Sequence, residues 1–301
     1  MLQRCCGPEG TVAMRKDIQK FIAGLSSDGS YSAATVRAYR YELDRFVDFI
    51  GDRPPEKVGE IDVRMYIMRL ATSSGVAAQR RALAVLARFF QWLLLKKRIQ
   101  EDPSRRIARP PDVRRKPGYL KSADTAKLFD AVKDVAFPPR RTRDLALVAL
   151  MLYAGARLSE LVALNKRDID LAGGTVLLGK GMAQREVPRN AELREILTKH
   201  LAAIPDGDDQ PMFANSKGGR LSKDGVYYLA TRYMRAAGII DHKRKASPKT
   251  LRHTFCAQLL TRGANIAVIS ELAGYASVRS TSVYVETQLQ DKRKAVELLG
   301  T

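Results

Sequence analysis

Acidic residues are scarce in this chain. Its 32 Asp and Glu stand against 52 Lys and Arg, a formal net charge of +20 over 301 residues. That imbalance argues against a cationic partner and points to a polyanion, of which nucleic acid is the commonest. An anionic membrane surface is the rival, but no basic amphipathic segment is followed by a lipidation motif. Long apolar runs are missing too. The longest, LALVALMLYAGA at 145–156, is too short to cross a bilayer and reads as a buried helix. The opening MLQRCCGPEG has no apolar h-region of a signal peptide. Cys5, Cys6 and Cys256 make no disulfide framework, and with only His200, His242 and His253 beside them no zinc spacing arises. Neither a Walker A loop nor a G-x-G-x-x-G after a strand is present. These absences predict a cytoplasmic, reduced protein whose chemistry runs without metal, nucleotide or other cofactor.

What is present has two textures. The first hundred residues read as helix throughout. SAATVRAYRYELDRFVDFI opens at Ser32 and sets Val36, Tyr39, Leu43, Phe46, Val47 and Ile50 at helical spacing, with Arg37, Arg40 and Arg45 elsewhere around the wheel. DVRMYIMRLA from Asp62 is a second such segment. VAAQRRALAVLARFFQWLLLKKR is a third, with Leu83, Leu86, Phe90, Leu93 and Leu94 as its stripe, and a shorter helix covers 14–25. From Lys96 to Lys116 the chain carries nine Lys/Arg against three acids, with three prolines, and reads as a solvated linker able to follow a phosphate backbone. Beyond Gly118 the pattern predicts helices at 122–134, 142–155, 190–203, 222–237 and 247–262. Strands at GGTVLLG and AQREVPR join through the turn GKGM. The fold class is therefore mainly α with a small β-sheet. A disordered extension (1–13, with Met14 a candidate start) precedes a four-helix domain (14–98), a basic linker (99–117) and an α+β domain (118–301).

Four stretches of the second half hold residues suited to chemistry. In YAGARLSELVALN, Arg157 stands at the edge of a core beside the small residues Gly155 and Ala156, and Glu160 can brace it from three residues on. By itself that is an ordinary surface ion pair. In LLGKGMAQREVP, Lys180 sits between two glycines at a hairpin tip and by itself is an ordinary turn lysine. SPKTLRHTF opens a helix, Ser247 capping it and Pro248 in the first turn, and spaces Lys249, Arg252 and His253 along one face. A helix N-terminus already attracts anions, so a phosphate is the natural ligand, and Arg157 and Arg252 could grip two of its oxygens. In ELAGYASVRSTSVYVETQ, Tyr275 and Tyr284 lie nine apart, with Tyr284 near the end of a short helix. Such a tyrosine ordinarily packs in a core, and would become a nucleophile only in a strongly cationic pocket.

Taken together and in order, GARLSEL, GKGMAQREVP, KTLRHTF and AGYASVRSTSVY resemble the tyrosine recombinase (phage-integrase) family, nearest its Xer-like members. The resemblance is strong over 145–187 and 246–290 and loose in the first half. It implies an N-terminal four-helix, SAM-like core-binding domain followed by an α+β catalytic domain. It implies that Arg157 and Arg252 bind the scissile phosphate and that Lys180 protonates the leaving 5′-hydroxyl. Tyr284 would attack phosphorus to leave a 3′-phosphotyrosine link. Lys249 and Tyr275 complete the catalytic set, with Glu160 and His253 in support. Lys249 stands where the family most often has His, and Tyr275 where it has His or Trp. The candidate DNA-binding residues are Arg37, Arg40, Arg80, Arg81, Arg114, Arg115 and Lys116. The partner implied is a double-stranded recombination site held by a homotetramer. The tail QLQDKRKAVELL, with Val296, Leu298 and Leu299 on one face, would be exchanged between protomers. Two alternatives use the same residues: a type IB topoisomerase, and a non-catalytic DNA-binding protein of the same fold.

Overall fold

Helical spacing of apolar residues builds the first of two units, Met1–Arg114. The computed structural model describes residues 11–29, 31–51, 53–111, 118–207, 209–241 and 246–275. In this unit lie α1 (Thr11–Ser27), α2 (Ala33–Ile50), α3 (Glu60–Ser74) and α4 (Val76–Leu95). The Ser32 side chain caps α2, accepting from Thr35 N–H at 3.2 Å. Leu43, Phe46 and Val47 point inward from it and meet Phe21, Tyr66, Phe89 and Phe90 in one core. Phe46 lies edge-on to both Tyr66 (5.2 Å) and Phe90 (6.0 Å), an arrangement the ring quadrupole favours. The buried Glu42 accepts from Tyr66 Oη at 2.6 Å, so the one carboxylate on that inner face is not left unpaired.

Helix boundaries in this unit differ from the sequence pattern by two or three residues, as at the first helix and the last. The first helix starts at Thr11, three residues ahead of Met14 and inside the stretch read as an extension. The last helix stops at Leu95, although KKR continues its composition. The cause is a left-handed turn at Lys97 (φ 55°), where Arg98 N–H reaches Leu93 O (2.9 Å) and Lys97 N–H reaches Leu94 O (3.0 Å). The reversal delivers Arg98 to the buried Asp17 (3.2 Å) and drops Ile99 into the core. Residues after Lys96 are thus not simply solvated. Ile107 packs on the same core and Arg80 Nη1 donates to Pro110 O at 2.6 Å. Arg114, Arg115 and Lys116 lie outside the described residues.

The second unit, Arg115–Thr301, is organised around α6 (Pro138–Tyr153). Residues 146–152 of this helix are all buried, as an apolar helix without a polar face must be. Around it stand α5 (Ser122–Val135), α8 (Ala191–Leu201), α9 (Lys223–Ala236) and α10 (Pro248–Thr261). α6 begins four residues before the predicted start because Phe137-Pro138-Pro139 is a helix opening rather than a loop: proline fits the first turn, where N–H groups have no partner to lose. Three elements had no prediction: α7 (Leu158–Ala163), α11 (Ile266–Ala273) and β1 (Ile169–Asp170). The sheet runs β1–β2–β3 antiparallel, with β2 (Thr175–Leu178) facing β3 (Arg185–Pro188) in the register Val176↔Val187 and Leu178↔Arg185. The hairpin is longer than the four-residue turn expected, since a 3-10 turn at Gly181–Ala183 is inserted between the strands.

Candidate active site

Arg157 is placed by the break between α6 and α7. After α6 the chain turns through Gly155, whose φ of +60° suits glycine, and Arg157 becomes the residue just ahead of α7. In α7, Glu160 is carried back beneath it. Its Oε2 accepts from Arg157 N–H (2.7 Å) and its Oε1 from Arg157 Nη1 (2.6 Å). Glu160 therefore braces Arg157 by backbone and side chain at once, unlike a loose surface pair.

Arg252 comes from the first turns of α10. The opening of that helix is tied in the reverse sense to the one predicted: Ser247 N–H donates to Thr250 Oγ1 at 3.0 Å. Nor do its three basic groups stand alike. Lys249 is exposed, His253 half-buried and Arg252 only 6% exposed. Arg252 turns inward, where Nη1 donates to Gly155 O and Nη2 to Ala273 O, and its guanidinium lies 4.8 Å from the centroid of the Tyr275 ring. Two of its five N–H groups are used by these carbonyls.

The C-terminal end of α11 is the meeting point. Gly274 (φ +61°) ends that helix, with Tyr275 N–H returning to Ser270 O at 2.9 Å. Three arginines then take three consecutive carbonyls: Arg185 Nε donates to Leu272 O (2.7 Å), Arg252 Nη2 to Ala273 O and Arg157 Nη2 to Gly274 O. Carbonyls at a helix C-terminus lack intrahelical partners and carry the negative end of its dipole, so cations belong there. A Cβ at Gly274 would stand 2.9 Å from Arg185 Nη1 and 3.2 Å from Arg157 Nη1, so a side chain there would push both guanidiniums aside.

Arg185 had not been singled out. It also forks onto Glu160, Nη1 to Oε1 at 2.8 Å and Nη2 to Oε2 at 3.0 Å. One sequence signal could have found it. Arg185 shares a face of its strand with the core residue Val187, and a charge in the inward register of a strand needs a buried partner.

The electrostatics follow from this packing. Burial pushes the Glu160 carboxyl up, but the hydrogen bonds from Arg185 and from the Arg157 backbone and side chain win and hold it at about 2. Burial, with Lys249 and Arg252 nearby, pushes His253 down to about 4, so its imidazole is neutral at pH 7. Burial and the Arg157 charge also press Arg252 downward. Three guanidiniums gathered here, with one carboxylate shared between Arg157 and Arg185, leave net positive charge for an anion. Among the described residues, no group of His, Cys, Asp and Glu could hold a metal ion.

Of the other candidates, Lys180 is exposed in the β2–β3 hairpin, and Arg37, Arg40 and Arg81 are exposed on α2 and α4 of the first unit. In the same unit Arg45 lies 5.6 Å from the Tyr41 ring and Arg88 5.7 Å from the Tyr31 ring. Tyr284 and the tail after it lie outside the described residues. Among the described residues, no helix is long and apolar enough to cross a membrane.

The chain is similar to known proteins along most of its length. The Phage integrase family matches residues 119–291, and the phage integrase N-terminal SAM-like domain matches 18–97. Tyrosine recombinase XerC of Thermodesulfovibrio yellowstonii is 32% identical over 283 residues, covering 91% of this chain and 92% of the relative. The Tn1549 transposon integrase in complex with circular intermediate DNA superposes with a TM-score of 0.77 at 15% identity, over 94% of this chain and 99% of that one. Lambda integrase, as a tetramer bound to a Holliday junction, gives a TM-score of 0.73 at 14% identity, over 87% of this chain and 77% of that one.

Proposed function

Because the chain belongs to the phage integrase family, and is by that membership a tyrosine-type site-specific DNA recombinase, we propose how its residues divide the work. Arg157 and Arg252 grip the non-bridging oxygens of the scissile phosphate. The first turn of α10, with Lys249, adds positive potential on the same anion. The Tyr284 hydroxyl loses its proton to solvent as its oxygen attacks phosphorus, the bond to the 5′-oxygen breaks, and Lys180 gives that oxygen its proton. The strand is left as a 3′-phosphotyrosine ester. Attack by the 5′-hydroxyl of another strand reverses these steps, so the bond energy is kept and no cofactor is needed. Tyr275 and the neutral His253 hold Arg252 in place.

The observation that carries this reading is the convergence of Arg157 and Arg252 on adjacent carbonyls, Gly274 and Ala273. In-line displacement builds negative charge on the non-bridging oxygens, and donors already fixed in position stabilise it without reorganising. Removing either arginine is expected to slow cleavage about 10²–10³-fold, as for losing one oxyanion donor. Double-stranded DNA is the partner, met by α2 and α4 through Arg37, Arg40, Arg80 and Arg81 and by Arg114, Arg115 and Lys116. The working assembly is a homotetramer on two synapsed sites, with the tail after Tyr284 exchanged between protomers, in the cytoplasm. The lambda integrase tetramer of the same fold supports that assembly.

The test is covalent trapping. Wild type and Tyr284→Phe are mixed with nicked suicide duplexes drawn from sequence flanking the gene, in EDTA, and run on denaturing gels. A slow-migrating adduct in the wild type alone is the expected result. An adduct that persists in Tyr284→Phe would displace Tyr284 as nucleophile. Specific protection of a site with no adduct would favour a DNA-binding role alone.

A further inference from the structure

Arg185 is 8% exposed and spends three N–H groups inside the protein, two on the Glu160 carboxylate and one on Leu272 O. Its neighbour Arg157 is 35% exposed and has the freedom that a ligand-facing side chain needs. Between them, Glu160 is saturated. Each of its oxygens takes one bond from the Arg185 fork and one from Arg157, by side chain at Oε1 and by backbone at Oε2. Without the fork, the carboxylate would be free to rotate about its last torsion and follow Arg157 instead of holding it. The third bond, to Leu272 O, fastens the end of α11 to the first residue of β3.

We propose that Arg185 is a positioning residue for strand cleavage: by locking Glu160 and the end of α11, it fixes the Arg157 guanidinium in the orientation that receives the scissile phosphate. The inference rests on the reading of Arg157 as a phosphate ligand. Arg185 itself touches no DNA, since its guanidinium is enclosed by Glu160 and α11. A lysine in its place would keep the charge but lose the planar fork, and so could not lock both carboxylate oxygens.

The experiment is single-turnover cleavage of the nicked duplex by wild type, Arg185→Lys, Arg185→Met, Arg157→Lys and the Arg185→Met/Arg157→Lys double variant, with thermal melting and DNA affinity measured beside it. Arg185→Met is expected to cleave about 10²-fold more slowly and Arg185→Lys about tenfold, the scale of a 1 Å misplacement, with DNA affinity unchanged within about twofold. The double variant is expected to be no slower than Arg157→Lys alone, because both changes remove one interaction. Multiplying defects would overturn the proposal, as would an Arg185→Lys enzyme of wild-type rate. If Arg185→Met does not fold, Arg185→Lys carries the comparison.

A second substrate separates Arg185 from the proton donor. Replacing the bridging 5′-oxygen with sulfur gives a leaving group that needs no proton. It is expected to rescue Lys180→Ala and to leave Arg185→Met slow, and rescue of Arg185→Met would overturn the assignment. A wild-type enzyme that forms no adduct is the separate result that would remove the recombinase reading beneath it.

Discussion

His253 and Glu160 sit within one cluster yet titrate in separate windows. The His253 imidazole falls to about 4 in the folded protein because burial and the charges of Lys249 and Arg252 oppose protonation. The unfolded chain therefore binds the proton first. The stability tied to this group is complete above pH ~6.5 and drains as pH drops towards 4, by up to about 3 kcal/mol. Urea unfolding of His253→Gln across that window is expected to give a flatter stability profile than wild type. An unchanged slope would mean that His253 is not held neutral. Glu160 acts lower down. Its carboxyl sits at about 2 when folded, so its contribution is whole above pH ~4.5 and is lost as pH falls through 2. Gly155 is the residue where backbone and site coincide. A Cβ there would stand 2.5 and 2.8 Å from ring carbons of Phe255, at a φ of +60°. Gly155→Ala is expected to lower the unfolding free energy by about 2–4 kcal/mol, from left-handed strain plus overpacking. Cleavage should fall with it, because the Gly155 carbonyl is one of the two that hold Arg252. Full cleavage activity in a destabilised Gly155→Ala would break that link.

Among elements, those with a long repeat were legible and those without were not. Leu43, Phe46 and Val47 on α2 announce an inward face because an 18-residue helix repeats its pattern several times. α11 has eight residues and α7 six, too few for a period to emerge, and two-residue β1 has none. Of the candidate residues, Arg157, Glu160 and Arg252, which the structure gathers, each lie in a recognisable string. The site was not legible where a contact depends on tertiary register. Nothing local in AQREVPR says that Arg185 meets Glu160, 25 residues earlier, and Leu272, 87 residues later. The end of α4 supplies an element-scale prediction. Lys97 holds a left-handed conformation that costs an L-residue about 1–2 kcal/mol, part of which glycine would return to the unfolded chain as entropy. Lys97→Gly is expected to stabilise the first unit by about 0.5–1 kcal/mol, read from urea midpoints. A destabilised variant would mean that the lysine side chain contributes more than its backbone strain costs.

At the scale of the whole molecule, a net charge of +20 makes DNA affinity a steep function of salt. Each phosphate neutralised adds about 0.9 to the slope of log affinity against log salt. Arg37→Gln/Arg40→Gln is expected to reduce that slope by about 2 and to weaken binding to all duplexes alike. A loss confined to one sequence would make these arginines readers of bases instead of backbone. On the proposed reading the charge serves capture of DNA, while the two phosphate ligands, Arg157 and Arg252, gather at the last turn of α11. That gathering has a consequence for reach. Tyr284 follows Tyr275 by nine residues, and nine residues span at most about 30–32 Å however they run. That span begins just past three carbonyls held by three guanidiniums. A displacement of this anchor would therefore carry Arg157, Arg252 and Tyr275 in one direction, so that on the proposed reading the phosphate ligands and the start of the path to the nucleophile share one origin.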